Sequence, residues 1–149
     1  MTTELRPRYS CVMSVDRSIG FDAREIVACW LASDRTKYLD LSHLNLTELP
    51  DNFPSDFDGR LKCYFNQLTS LSLPMAREVI CSNNKLTLLN TPTASNVYCA
   101  NNQLTTLSLP SATEVNCSNN QLISLFTPKA TKVDITADIG CLIAEYCFL

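Results

Sequence analysis

The segment Val79-Ile-Cys-Ser-Asn-Asn-Lys-Leu86 recurs further along the chain with few changes. Its copies are Val97-Tyr-Cys-Ala-Asn-Asn-Gln-Leu104 and Val115-Asn-Cys-Ser-Asn-Asn-Gln-Leu122, and Leu61-Lys-Cys-Tyr-Phe-Asn-Gln-Leu68 is a looser one. Each copy begins 18 residues after the one before it. The stretch from 60 to 135 is therefore an internal repeat.

Three columns of this repeat keep one residue type. They are the cysteine column Cys63, Cys81, Cys99 and Cys117, the asparagine column Asn66, Asn84, Asn102 and Asn120, and the proline column Pro74, Pro92, Pro110 and Pro128. A period near 20 with the form Leu-x-x-Leu-x-Leu-x-x-Asn-x-Leu is the signature of leucine-rich repeats. The sequence therefore predicts a leucine-rich-repeat solenoid, in which each unit buries its apolar edge against the next.

The pattern within one unit predicts its path. Val79 and Cys81 alternate with Ile80 and Ser82, as in a half-buried strand, and stacked strands would form a short parallel β-sheet on the concave face. The column asparagine is expected to hydrogen-bond backbone groups of the neighbouring turn. Only about nine residues remain for the return path, with a proline in the middle, so the convex side is predicted to be extended or polyproline-like.

Length and composition narrow the class of protein. The chain has 149 residues, enough for one domain, and a net charge of -3 without a run of Lys and Arg, so we expect no nucleic-acid partner. No apolar run reaches the ~18 residues of a membrane span, so no transmembrane segment is expected. The first residues, from Met1 to Arg8, lack the apolar region of a secretory signal.

The eight cysteines invite a disulfide interpretation. Four of them, however, lie in one inward column, where the stacked side chains point the same way, and cytosolic thiols stay reduced. We therefore predict buried thiols that pack as small hydrophobic side chains. No Cys-x-x-Cys occurs and the single histidine, His43, is far from any cysteine pair, so neither a metal site nor a cofactor is expected.

The flanks of the repeat divide the chain into four regions. Residues 1–19 are polar and predicted to be disordered, with a candidate secretion signal, and residues 20–37 form a helical N-terminal cap. Asp22 followed by Glu25 marks the start of a helix that we predict to run to about Asp34, with Trp30 packed in the core. Leucine-rich repeats occupy 38–138, and 139–149 is an apolar C-terminal cap. If that cap stayed open, the end of the array would favour self-association.

The junction of cap and repeats resembles a known family. Trp30, Arg35 and Tyr38-Leu-Asp-Leu-Ser-His-Leu-Asn-Leu-Thr-Glu-Leu-Pro-Asp-Asn-Phe-Pro54 are similar to the corresponding part of bacterial type III secreted leucine-rich-repeat effectors, which include the "novel E3" ubiquitin-ligase effectors. The resemblance covers 21–135. It implies a helical cap, very short repeats, and a protein made in the bacterial cytoplasm and secreted into the host cell cytoplasm.

Two departures from that family bear on function. The repeats have 18 residues with cysteine in the strand, where the family has about 20 with Leu or Val. The catalytic domain of the ligase members, with its Cys-x-Asp nucleophile motif, is absent from this sequence. The resemblance therefore implies a repeat-only member, or alternatively the substrate-recognition part of a truncated or split E3 ubiquitin ligase.

The outward strand positions hold neither a nucleophile with a base nor a carboxylate pair, so we expect no enzymatic activity. Binding of a protein partner, as an effector would bind a host protein, is the default use of such a sheet. The predicted contact surface, called the concave patch below, consists of Arg60, Lys62, Tyr64, Glu78, Ile80, Tyr98 and Asn116. Two alternatives stay open: a cytosolic scaffold that is never secreted, and a surface on which single exposed apolar residues have no function.

Overall fold

The computed structural model of the chain describes residues 22–136. Its elements are α1 (Ala23–Leu31), β1 (Leu39–Asp40), β2 (Arg60–Lys62), β3 (Ser70–Ser72), β4 (Glu78–Ile80), β5 (Leu88–Asn90), β6 (Asn96–Tyr98), β7 (Thr106–Ser108), β8 (Glu114–Asn116), β9 (Ser124–Phe126) and β10 (Lys132–Asp134). The segments predicted to be disordered (1–19) and to cap the C-terminal end (139–149) lie outside the described residues.

The repeat units stack into a parallel solenoid. Six strands form one sheet in the order β1-β2-β4-β6-β8-β10. Each strand pairs with the equivalent strand of the next coil, so that Leu61 lies beside Val79, Val79 beside Val97, and Val97 beside Val115. The inward residues of the first five of these strands are buried, and Val133 of β10 is partly buried. The leucine-rich-repeat architecture predicted from the 18-residue period is thereby confirmed.

The return side of each coil takes one of the two forms that the sequence predicted for the convex side. It is extended, but it is not polyproline-like, because β3 pairs with β5 and β7 pairs with β9 in parallel register. Polyproline helices make no such backbone hydrogen bonds. The proline of each unit follows the return strand: Pro92 comes two residues after β5 ends. Its missing N–H therefore does not interrupt the ladder.

A narrow core runs between the two sets of strands. Leucine is its commonest residue, and the cysteine column forms a file with no solvent exposure, made of Cys63, Cys81, Cys99 and Cys117. Within residues 22–136 the cysteines form no disulfide bond. Burial raises the pKa of Cys63 to about 12 and that of Cys81 well above its ordinary value, which keeps both thiols protonated and unreactive. The prediction of thiols acting as small hydrophobic side chains is confirmed for this file.

The column asparagines tie each coil to the one before it. The Oδ1 of Asn84 accepts from the Leu68 N–H at 3.0 Å, and its Nδ2 donates to the carbonyl oxygens of Cys63 at 2.9 Å and Cys81 at 3.0 Å. These partners are buried backbone groups that water cannot reach. One side chain thus satisfies three backbone groups from two coils, and the predicted hydrogen-bonded ladder is confirmed.

One short helix covers the first strand. The Asp22 carboxylate accepts from the Glu25 N–H at 2.9 Å and the Glu25 carboxylate accepts from the Asp22 N–H at 3.2 Å, which is the predicted capping box. The helix ends at Leu31, three residues before the predicted end, because the Ser33 N–H and hydroxyl both donate to the Trp30 carbonyl oxygen. This closes the last turn.

Trp30 anchors the helix as predicted. Only 8% of its surface is exposed, and its ring centroid lies 5.2 Å from that of Phe57. Its Nε1 donates to the Lys37 carbonyl oxygen at 3.0 Å. Both rings lie against Gly59, where an added Cβ would come within 3.0 Å of each.

The ladder gives the first testable prediction. Asn102 accepts from the Leu86 N–H at 2.9 Å and donates to the carbonyl oxygens of Cys81 at 3.1 Å and Cys99 at 3.0 Å. Asn102→Ala would leave the buried Leu86 N–H without its partner and remove one of the two hydrogen bonds to each carbonyl oxygen, because Cys81 also accepts from Asn84 and Cys99 from Asn120. We therefore expect the free energy of unfolding to fall by about 2 kcal/mol. Urea unfolding followed by circular dichroism measures this.

Asn90 provides the matched control. It is exposed on the return side and its Nδ2 donates only to the Ser72 hydroxyl, at 3.2 Å. Asn90→Ala should change the free energy of unfolding by less than about 0.5 kcal/mol. A loss in Asn102→Ala as small as in this control would contradict the role given to the ladder.

Candidate functional site

The register of the six-stranded sheet aligns its outward side chains in rows. The row nearest the strand starts contains Arg60, Glu78, Asn96, Glu114 and Lys132, and the next contains Asp40, Lys62, Ile80, Tyr98, Asn116 and Asp134. Neighbours within a row are about 4.8 Å apart, the spacing of paired strands. The structure therefore brings the seven residues of the concave patch together on one face.

The residues of the patch differ in how far they reach into solvent. Arg60 is exposed, while the remaining six are half-buried. Ile80 and Tyr98 are direct neighbours on paired strands, and Tyr64 follows the end of β2 at the edge of the patch. The patch thus has an apolar and aromatic centre with charged residues around it, the composition of an interface core and rim.

Tyr38 belongs to this face although the sequence-based prediction omitted it. The Lys62 Nζ lies 4.4 Å from the centroid of its ring, and the Arg60 guanidinium carbon lies 5.1 Å away. Arg60 also donates to the Thr36 carbonyl oxygen at 2.9 Å. Both cations of the patch are thus held over one aromatic ring.

The electrostatics of Tyr38 reflect this position. Burial raises the pKa of its hydroxyl, and the hydrogen bond to the Glu78 carboxylate and its negative charge raise that pKa further, against the opposite effect of Arg60. Tyr38 directly precedes inward Leu39, so it points outward in the row of Arg60. Tyr38 could have been predicted to lie on this face from the distance along the chain between the first two coils. That distance is 22 residues, whereas it is 18 between later coils.

The charged pair at the other end of the face is tight. The Lys132 Nζ lies 2.5 Å from the Glu114 Oε1. The hydrogen bond from Lys132 lowers the pKa of Glu114, and the same bond raises the pKa of Lys132. Tyr98 also donates to the Glu114 carboxylate. The hydroxyl of Tyr98 is therefore held in place while its ring remains part of the patch.

Asn116 has a structural role as well as its predicted place in the patch. Its Oδ1 accepts from the Ser118 N–H at 3.2 Å and from the Ser118 hydroxyl at 2.8 Å. The same turn is built by Asp134 with Thr136, whose hydroxyl and N–H lower the pKa of that carboxyl. Asn116 is thus bound to its own turn, while Ile80 and Tyr98 present their side chains to solvent.

Beside the patch lies a cluster of three aromatic rings, His43, Tyr64 and Phe65, called the aromatic corner below. The His43 and Phe65 rings are stacked, with centroids 4.7 Å apart and planes 19° from parallel. The Tyr64 ring meets both edge-on, at 5.2 Å and 5.9 Å. The His43 side chain is exposed, and its contact with Phe65 was not predicted from the sequence.

The described residues show two further features of the site's chemistry. Within residues 22–136, no three His, Cys, Asp or Glu side chains come together in a way that could hold a metal ion. The same part of the chain contains no helix with the length and apolarity that crossing a membrane requires.

Comparison with known proteins supports the fold. The chain matches no protein-family model and no curated protein. It is similar to the solved structure of YopM, a leucine-rich effector protein from Yersinia pestis, with a TM-score of 0.55 and 25% sequence identity over 64% of this chain and 30% of the YopM chain. The chain thus spans less than a third of the length of that structure. This similarity supports a leucine-rich-repeat fold like that of an effector.

The position of Tyr38 gives a testable prediction. Replacing Glu78 by Gln removes the negative charge beside the Tyr38 hydroxyl, so we expect the pKa of Tyr38 to fall toward its ordinary value. Burial would still hold that pKa above the ordinary value. An NMR titration of the tyrosine ring carbons measures the change, with Tyr38→Phe to assign the signal.

Glu114→Gln is the control for this titration. That carboxylate interacts with Tyr98 and Lys132, so its loss should leave the pKa of Tyr38 where it was. An unchanged Tyr38 titration in Glu78→Gln would show that Tyr38 and Glu78 are not in contact in solution.

Proposed function

We propose that this chain is a non-catalytic protein-binding module that engages its partner through the concave patch. The observation that carries the proposal is the pairing of β4 with β6, which sets Ile80 and Tyr98 side by side on the outer face. Lys62 adjoins Ile80 in the same row. Tyr64 lies two residues after Lys62, just beyond the end of β2. Aromatic and aliphatic anchors with a nearby basic residue are the composition of binding hot spots.

The framework behind the patch supports this function. The inward neighbours Val79 and Val97 have no solvent exposure, and the asparagine ladder bonds the ends of the strands to one another. A patch on such a framework is preorganised, so a partner spends little binding free energy on ordering it. The patch extends over four strands, roughly 14 Å across the sheet. That width suits a segment or a loop of a partner protein.

We propose further that the module is a bacterial effector, secreted by a type III system, whose partner is a host protein. The sequence from Tyr38 to Pro54 resembles the first repeat of such effectors, and the structurally similar YopM is described as a leucine-rich effector protein. The chain would then lie in the bacterial cytoplasm before secretion and in the host cell cytoplasm afterwards.

A reporter enzyme fused to residues 1–40 tests the secretion step. We expect reporter activity inside host cells when the bacterium has a functional type III system, and none when the secretion ATPase is inactivated. Equal signals in the two strains, or no signal in either, would leave the binding module without a role as a secreted effector.

The binding step is tested by the double variant Ile80→Ala with Tyr98→Ala. Both side chains are half-exposed, so we expect circular dichroism and the thermal midpoint to stay close to wild type. We expect the variant to capture its host partner at least about tenfold less well, because truncating an interface anchor commonly costs more than about 1.4 kcal/mol. Affinity capture with quantitative mass spectrometry measures this.

The matched control is Leu88→Ala. Leu88 is 60% exposed and belongs to β5, on the return side of the coil that contains Ile80. A protein enriched equally by wild type and Leu88→Ala, but lost in the double variant, would be a partner of the concave patch. Equal enrichment by all three forms would remove the patch from consideration.

A further inference from the structure

One column of turn residues has left-handed backbone in five coils of the described residues. The φ angles in this column are 59° at His43, 53° at Phe65, 58° at Asn83, 56° at Asn101 and 55° at Asn119. Asparagine adopts this conformation readily, whereas a bulky side chain such as phenylalanine is strained there. Three coils therefore use the residue that suits the turn, and the coil of Phe65 does not.

The geometry of the aromatic corner follows from this column. Stacked coils place equivalent residues about 4.8 Å apart, and the His43 and Phe65 rings stack at 4.7 Å. The stack does not bury the rings, because 52% of Phe65 remains exposed and the ring is not part of the hydrophobic core. Core packing therefore does not explain a phenylalanine at this position. Backbone strain at a single site points to function.

The charges around the aromatic corner are mostly basic. Lys62 precedes Tyr64 by two residues on the same outward face, and its ammonium lies over the Tyr38 ring. On the other side, the Lys85 Nζ donates to the Gln67 side chain at 3.0 Å. The neighbouring acid, Asp40, accepts from the Ser42 N–H at 3.0 Å. The corner thus has Lys62 two positions before Tyr64, and Lys85 bonded to the side chain that lies two positions after Phe65.

We propose that the aromatic corner is a docking surface for an extended peptide segment with an apolar side chain next to a carboxylate. The apolar side chain lies on the stacked rings of His43 and Phe65, and the carboxylate pairs with Lys62 or Lys85. The corner shares Tyr64 with the concave patch, so this proposal rests on the proposed binding function and names the chemistry of the partner. A basic or purely polar peptide would not match this surface.

A random dodecamer peptide library displayed on phage, selected on the full chain, tests the proposal. We expect the selected peptides to carry Leu, Ile, Met or Phe beside Asp or Glu. Phe65→Asn gives this coil the residue of the other three, so the thermal midpoint should be equal to that of wild type or higher. The selected peptides should bind this variant at least about tenfold more weakly, and they should bind Leu88→Ala, on the return side, as they bind wild type.

Asn101→Phe is the matched control for the strain. It places the same ring in the same left-handed column of another coil, next to Ala100 instead of a tyrosine. We expect its thermal midpoint to fall and its affinity for the selected peptides to equal that of wild type.

Three results would overturn the proposal: no peptide selected above background, peptides without the acidic and apolar pair, or peptides that bind Phe65→Asn as well as wild type. A clearly lower midpoint in Phe65→Asn would also overturn it, because the ring would then serve the fold. Peptides lost in the double variant of Ile80 and Tyr98 but retained by Phe65→Asn would refute the corner and support the concave patch. Peptides that lose binding only to Phe65→Asn would support the corner as their binding site.

Discussion

The side-chain amide of one buried asparagine in each coil fixes how the coils stack. Asn84 bonds its own strand end and the previous coil at once, and the equivalent residues repeat the arrangement along the array. A coil displaced by one residue would lose these bonds and turn its inward side chains to solvent. The register of every outward row therefore depends on this ladder, and with it the position of each residue in the proposed binding surface.

The coil can be short because its core side chains are small and its return path is a strand. The cysteine file places a small side chain where larger leucines are usual in such repeats, and the return path is a three-residue strand such as β5 instead of a helix. Two closely spaced strands per coil leave room for a narrow core of leucine, valine and cysteine. Backbone hydrogen bonds join each coil to its neighbours on both sides of the core, as from the Cys81 N–H to the Tyr98 oxygen and from the Gln103 N–H to the Leu86 oxygen.

The outer face combines regular and irregular parts with different chemistry. Along the regular coils, Ile80 and Tyr98 stand in line on paired strands, and Tyr98 is fixed through Glu114. At the irregular first coil, cations are held over Tyr38 and the aromatic corner projects from a left-handed turn. The two parts adjoin at Tyr64, so a bound partner protein could contact both. The similarity to a leucine-rich effector supports the repeat fold that carries this face.

Five features could be predicted from the residues alone: the period, the inward columns, the asparagine ladder, the capping box at Asp22 and the adjacency of the patch residues. The sequence could determine the repeated features because identical units must stack in one register, and one period then specifies every equivalent contact. Tertiary structure alone decided the pairing of the return strands, the place of Tyr38 over the cations, and the stack of His43 on Phe65. The pairing of the return strands depends on the distance between neighbouring coils, and the sequence of one unit does not specify that distance. The other two depend on the path of the chain between β1 and β2, where the offset is 22 residues instead of 18 and the repeat no longer specifies which side chains meet.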